Sequence, residues 1–306
     1  MATPGTEYPL HIVDAFTKVP FEGNPAAVCL LQNDTDIKDE TKSKIASEMN
    51  LSETAFVSCA TPDTNFSRAD KFILRWFTPT VEVDLCGHAT LATAWVIFHT
   101  TNNQHRELKF ETRSGTLSAM RKGDSVSLDF PRFPPRPLNA DERRLLQPVI
   151  DICCGSVGDD SVLEVSLSPD TYKLLIRLKD DVNVSQLKEC IVFPDHLLAQ
   201  DTGGLIKGVI LTLKGSAENG AVDREGTPYD FVSRYFAPWQ GIAEDPVTGS
   251  SHTVLAPYWS EVLHKNMLYA RQCSKRGGDL LLTLHPNNRI EIAGHARIVM
   301  SGKLML

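Results

Sequence analysis

The sequence predicts an α+β protein made of two pseudo-symmetric halves, each a curved mixed β-sheet or barrel wrapped around a central helix. Three observations lead there. First, one pattern occurs twice: Arg75-Trp76-Phe77-Thr78-Pro79 returns as Arg234-Tyr235-Phe236-Ala237-Pro238, and each copy precedes an acidic turn, a glycine and an apolar helix-like run. Cys86-Gly87-His88-Ala89-Thr90 then stands where Thr248-Gly249-Ser250-Ser251-His252 stands in the second copy, and Arg113-Ser114-Gly115-Thr116-Leu117 corresponds to Arg276-Gly277-Gly278-Asp279-Leu280. Three matches in one order, each roughly half the chain apart, indicate two copies of one fold. Second, the run 89–98 (ATLATAWVIF) has almost no polar face, the mark of a helix buried on all sides. Third, short β-rich runs flank it, and a sheet curved around the helix buries both.

The elements follow in order. Strands are expected at 11–16, 26–31, 54–57 and 72–77 before the first central helix, and at 108–111 and 126–130 after it. An outer helix over 36–49, capped by Asp34 or Thr35, turns Ile37, Ile45 and Met49 inward. The second central helix, from about Ser251 to Leu263, contains Pro257. An interior proline costs about 3 kcal/mol, so a kink or a restart is expected there. Between the copies, Pro131 to Pro137 carries four prolines in seven residues and reads as a stiff linker. The expected domains are therefore 1–130 and 138–306 around a linker at 131–137, with the last strand able to pair with the N-terminal domain.

Composition narrows the function. The 306 residues are 42% hydrophobic and 23% charged, an ordinary globular balance that argues against disorder, collagen and a disulfide scaffold. A net charge of −7 disfavours nucleic acid and anionic lipid as partners, leaving a small molecule or another protein. No run approaches the roughly 18 apolar residues of a membrane helix, and residues 1–20 lack a secretory pattern. The seven cysteines show no paired spacing, as expected of reduced thiols in the cytoplasm, and no C-x-x-C or H-E-x-x-H suggests a metal. Motifs for a dinucleotide, a phosphate loop and a serine nucleophile elbow are also absent, so no cofactor is expected.

Gly87-His88 and Gly249-Ser250 each open a buried helix. If the two copies face one another, two helix N-termini point into one cleft, each with free N–H groups and about half a positive charge, which suits a carboxylate. Glu53 lies at the mouth of an apolar strand, where a carboxylate alone is ordinary surface. Asp245 reads equally as a turn or cap residue, His88 as a cap, Cys86 as an inert buried thiol, and Asn24 as part of a turn entering a strand. Together they are acid/base groups around an anion site, which fits proton transfer beside a carboxylate.

Gly23-Asn24-Pro25-Ala26-Ala27-Val28, Asn50-Leu51-Ser52-Glu53-Thr54, Arg75-Trp76-Phe77-Thr78-Pro79, Cys86-Gly87-His88-Ala89-Thr90 and Glu244-Asp245-Pro246-Val247-Thr248-Gly249-Ser250 resemble the phenazine-biosynthesis F-type isomerase family, in order and over essentially the whole chain. The resemblance implies a diaminopimelate epimerase-like fold and a proton shuttle. Glu53 would carry the proton, assisted by His88 and Asp245, with Asn24, Gly87, Thr248, Gly249 and Ser250 at a small carboxylate-bearing substrate. It also implies a homodimer. Distant epimerases of this fold use two cysteines; here Cys86 matches one as a vestigial thiol and Thr248 the other. A threonine hydroxyl is too weak an acid or base near pH 7 to replace a thiolate, which disfavours two-base racemisation. A one-base mechanism requires a desolvated Glu53 whose pKa rises toward neutrality. The animal members suggest an alternative, a regulatory or protein-interaction module with a vestigial cleft and a WD-repeat protein as partner.

Overall fold

Each half of the repeat closes a curved sheet onto the helix that its sequence cannot expose. The computed structural model describes residues 5–61 and 63–306. The chain divides into two compact units, one running to Asp129 and completed by Ala293–Leu306, the other Phe130–Ile292.

In the first unit, β1 (Glu7–Ala15) and β2 (Asn24–Leu30) are antiparallel. Helix α1 (Asp39–Met49) crosses over to β3 (Glu53–Cys59), parallel to β2, and β4 (Lys71–Phe77) returns antiparallel. After the two-residue β5 (Glu82–Val83), α2 (Gly87–Thr100) leads to β6 (Glu107–Thr112), parallel to β4, and then to β7 (Gly115–Lys122) and β8 (Ser125–Pro131). The C-terminal strand Ala296–Met305 pairs antiparallel with β1. Helix α2 is buried from His88 to Ala94, and again at Val96, Ile97 and Phe98. Its buried threonines are satisfied by the helix backbone: Thr90 Oγ1 donates to the Cys86 carbonyl at 2.5 Å and Thr93 Oγ1 to that of Ala89 at 2.7 Å. A hydroxyl bonded one turn back can enter an apolar core without the cost of an orphaned donor.

The second unit repeats the order. A short β9 (Arg136–Pro137), inside the segment that its prolines suggest is a linker, pairs with β10 (Val162–Ser168) after helix α3 (Ala140–Cys154). Strand β11 (Lys173–Leu178) is antiparallel to β10, and two short helices, α4 (Val184–Glu189) and α5 (Pro194–Leu198), lead to β12 (Gly208–Lys214), parallel to β11. Then come β13 (Phe231–Phe236), helix α6 (Gly249–Leu263), β14 (Met267–Gln272), β15 (Gly278–His285) and β16 (Arg289–Gly294), before the terminal strand, β17. β13 is antiparallel to β12, and β14 parallel to β13.

Strand register gives the correspondence residue by residue. Ala26 pairs with Glu53, Thr54 with Phe77 and Ala55 with Trp76. In the second unit Lys173 pairs with Gly208, Val209 with Phe236 and Ile210 with Tyr235. Glu53 and Gly208 are thus equivalent positions, as are Ala26 and Lys173. The repeat arginines behave alike: Arg75 holds Glu82 through Nε and NH2, both at 2.8 Å, and Arg234 holds Glu244 at 2.7 and 2.9 Å. Each guanidinium also lies over the phenylalanine two residues on, Phe77 or Phe236, and each reaches an outer helix. Arg75 binds Asp39 at the start of α1, whereas Arg234 NH1 donates to the Leu187 and Cys190 carbonyls around the end of α4.

Three expectations change. The turn at 34–36 is a separate 3-10 segment boxed by Asn33, so α1 starts at Asp39 and neither Asp34 nor Thr35 caps it. The second central helix begins at Gly249, two residues earlier than expected, and runs unbroken through Pro257. The physical reason is a substitute donor. Proline has no N–H for the carbonyl four residues back, and that carbonyl, of Thr253, accepts instead from the backbone N–H of Phe133 at 3.0 Å.

Candidate active site

The predicted residues gather at two helix heads, one in each unit. Cys86 is the extended N-cap residue of α2 (φ −145°, ψ 110°), and Thr248 holds the same place on α6 (φ −116°, ψ 106°). Neither helix is capped by the side chain of that residue, the arrangement in which first-turn N–H groups can take a carboxylate.

In the first unit, Asn24, Glu53, Cys86 and His88 form one cluster with Gly87 beneath it. β3 starts at Glu53 and α2 opens one residue before His88, which sets His88 Nε2 3.2 Å from Glu53 Oε2. The same Nε2 is 3.2 Å from Ser52 Oγ, which also donates to the Pro25 carbonyl at 3.1 Å. On the other edge of the imidazole, Nδ1 lies 3.3 Å from Asn24 Nδ2 and 3.5 Å from Cys86 Sγ. Asn24, expected at the substrate, is fully buried and turned toward His88. Glu53 Oε2 is buried and lacks a well-aligned hydrogen bond even with the imidazole this close.

The electrostatics differ from expectation at Glu53. Burial pushes its carboxyl up, but the His88 charge and hydrogen bonds from His88, Ser52 and Cys86 outweigh burial and hold it below the usual carboxylate range. A rise toward neutrality is therefore not what this arrangement produces, because desolvation acts here against a partner of opposite charge. For His88, burial opposes the charged ring, yet the charge of the Glu53 carboxylate beside it carries its pKa well above the ordinary histidine value. Burial, reinforced by Glu53, pushes the Cys86 thiol up to about 11. At neutral pH the cluster is an imidazolium, a carboxylate and a thiol. The donor atoms of Glu53, Cys86 and His88 lie within 4.8 Å of one another, close enough for a metal ion, but binding one would displace protons from the thiol and the imidazolium.

In the second unit, Thr248 Oγ1 donates to Asp245 Oδ2 at 2.5 Å, and the Thr248 N–H donates to Gln272 Oε1 at 2.9 Å. Gln272 Nε2 returns a bond to the Asp245 carbonyl at 2.6 Å. Gly249 is buried and Ser250 exposed at the first turn of α6. Ser52 and Gln272 were not singled out as site residues from sequence. Ser52 precedes Glu53 and could have been found by asking what orients His88. Gln272 carries no sequence signal, since only the return of β14 brings it to Thr248.

Residues 13–302 match the family model described as phenazine biosynthesis-like protein. The chain belongs to the phenazine biosynthesis-like family. Among its relatives, the phenazine biosynthesis-like domain-containing protein of Bos taurus is 50% identical over 97% of this chain and 98% of that one. An uncharacterized isomerase of Pseudomonas aeruginosa is 42% identical over 98% of this chain and 100% of its own. Among solved structures, a family protein from Enterococcus faecalis is 36% identical and superimposes with a TM-score of 0.81 over 98% of this chain and 100% of that one. A predicted epimerase from Pseudomonas aeruginosa, at 18% identity, shares the fold alone (TM-score 0.69, 98% of this chain and 99% of that one). The fold is thus the epimerase-like one that the phenazine biosynthesis-like family shares, and two of the bacterial relatives are described as uncharacterized isomerases. Among the described residues, no helix is long and apolar enough to cross a membrane.

Proposed function

We propose that this family member is a cofactor-independent isomerase that moves a proton within a small carboxylate-bearing molecule, with Glu53 as general acid and base. The observation that carries the reading is the buried Glu53 Oε2, 3.2 Å from the His88 ring and without an aligned hydrogen bond. Such an oxygen is desolvated and held ionised by the charge beside it, with no aligned hydrogen bond occupying it. As a substrate C–H bond breaks, Glu53 takes the proton and the electron pair spreads toward the substrate's conjugated acid group. Glu53 then returns the proton to a second carbon on the same face, a 1,3-shift, or to the first carbon after the planar intermediate has turned over, an epimerisation. His88, whose Nε2 also contacts Ser52 Oγ, keeps Glu53 ionised before the transfer and can donate to charge developing nearby. Bringing an anionic substrate to the head of α2 would exclude water and weaken that preference for the carboxylate, which moves Glu53 toward the pKa a proton carrier needs.

The alternative two-base scheme needs a thiolate. Cys86 is held as a thiol, and its counterpart Thr248 spends its hydroxyl on Asp245. The test is solvent deuterium exchange into a panel of unsaturated and 2-substituted carboxylic acids, comparing the parent with Glu53→Gln. Exchange by the parent that is lost in Glu53→Gln is the expected result. Equal exchange by both removes Glu53 from the mechanism.

A further inference from the structure

The register correspondence leaves one buried cation unexplained. Where the first unit has Ala26 beside Glu53, the second has Lys173 beside Gly208. The side chain that Gly208 lacks is replaced in space by a neighbour's: a Cβ at Gly208 would run into the phenol oxygen of Tyr235, which stands at the position equivalent to Trp76. The Tyr235 ring in turn lies 5.9 Å from Lys173 Nζ. Tyr235 is tied to the α6 head as well, since its carbonyl accepts from the Asp245 N–H at 3.1 Å. The glutamate position of one unit has thus become, in the other, a lysine and a tyrosine on one sheet face.

Lys173 is 7% exposed, and its amine has one polar contact, the Thr171 carbonyl at 3.3 Å. Among the described residues no carboxylate pairs with it. Burial alone lowers its pKa to about 8, so at neutral pH the amine is still mostly charged. A desolvated ammonium with one carbonyl and an aromatic ring face beside it but no counter-charge is costly to the fold, whereas Lys42, the fully buried lysine of the first unit, has both the Asp34 carboxylate and the Asp34 carbonyl. The two lysines thus differ in counter-charge: Lys42 has a carboxylate of its own chain, and Lys173 has a carbonyl and a ring face.

We propose that Lys173 and Tyr235 form an anion-recognition site in the second unit, with Lys173 pairing with, and the Tyr235 hydroxyl donating to, the carboxylate of a small organic acid. Gly208 is part of the device, because any side chain there would displace the phenol. The site stands whether or not Glu53 is the proton carrier.

The test is calorimetric titration of the full chain with benzoate and with the neutral benzamide. The parent should bind benzoate, and Lys173→Met should bind it at least about tenfold more weakly, the usual loss when a charged hydrogen-bond partner is removed. Benzamide should not distinguish the two proteins, and Glu53→Gln should keep benzoate binding whatever its exchange activity. Absence of benzoate binding in the parent, or equal binding by Lys173→Met, overturns the proposal. If Lys173→Met does not fold, the parent labelled with ε-13C lysine decides the matter, with Lys173→Arg used for assignment. A Lys173 resonance that shifts on benzoate saturation supports the site, and one that stays fixed overturns it.

Discussion

His88 Nε2 and Glu53 Oε2 lie 3.2 Å apart in a pocket where both side chains are almost fully covered, at 7% and 12% exposure. The contact joins the first residue of β3 to the first turn of α2, so the fold brings together two groups from separate elements of one unit. Each stabilises the charged form of the other.

That mutual stabilisation sets a pH signature. The lowered Glu53 pKa contributes stability that is present above its ordinary value of 4.5 and is lost as pH falls through the folded value. The raised His88 pKa contributes stability that is present below its ordinary value of 6.5 and is lost as pH rises through the folded one. Both are fully present only between those two ordinary values. Thermal melts of the parent and His88→Asn across pH 4 to 9 should differ most in that window and converge toward either end. A constant difference across the range would mean that His88 acts by packing alone.

Cys86→Ser should leave deuterium exchange within about tenfold of the parent, because a thiol held near 11 is not the base at neutral pH. Loss of exchange as complete as in Glu53→Gln would bring the two-base scheme back.

The duplicated ion pair is a structural device. Arg234 is nearly buried, with its side chain 9% exposed, and it ties β13 to Glu244 and to the carbonyls near the end of α4. Glu244→Ala leaves that guanidinium without its counter-charge and should cost about 3 kcal/mol in urea unfolding, the lower end for breaking a buried pair. A loss below about 1 kcal/mol would place the pair with ordinary surface bridges.

Pro257→Ala should change stability little, by less than about 1 kcal/mol, although an unaccommodated interior proline costs about 3. Phe133 already serves the Thr253 carbonyl, so the new alanine N–H would compete for an acceptor in use. A large stabilisation by Pro257→Ala would show that the Phe133 bond does not offset the proline.

The repeat made much of this architecture legible. Arg75 and Arg234 announce equivalent strands, and the apolar run 89–98 announces a helix that a sheet must surround, because these signals are local. Pro257 misled for the opposite reason: its compensation comes from Phe133, more than a hundred residues away. The family resemblance implied that Glu53 and His88 share a site, but the sign of the Glu53 shift depended on whether its buried neighbour was charged, which residue order does not encode. Lys173 and Gly208 were invisible as a pair until strand register made them the equivalents of Ala26 and Glu53.

Glu53 as proton carrier depends on its standing ionised against a protonated His88. The most direct measurement is a 15N titration of the His88 ring by NMR, in the parent and in Glu53→Gln. The account predicts an imidazolium that persists above pH 7 in the parent, and a His88 pKa that falls markedly once Glu53 is neutral. A His88 ring already neutral at pH 7 in the parent, or one that titrates identically in both proteins, would contradict it.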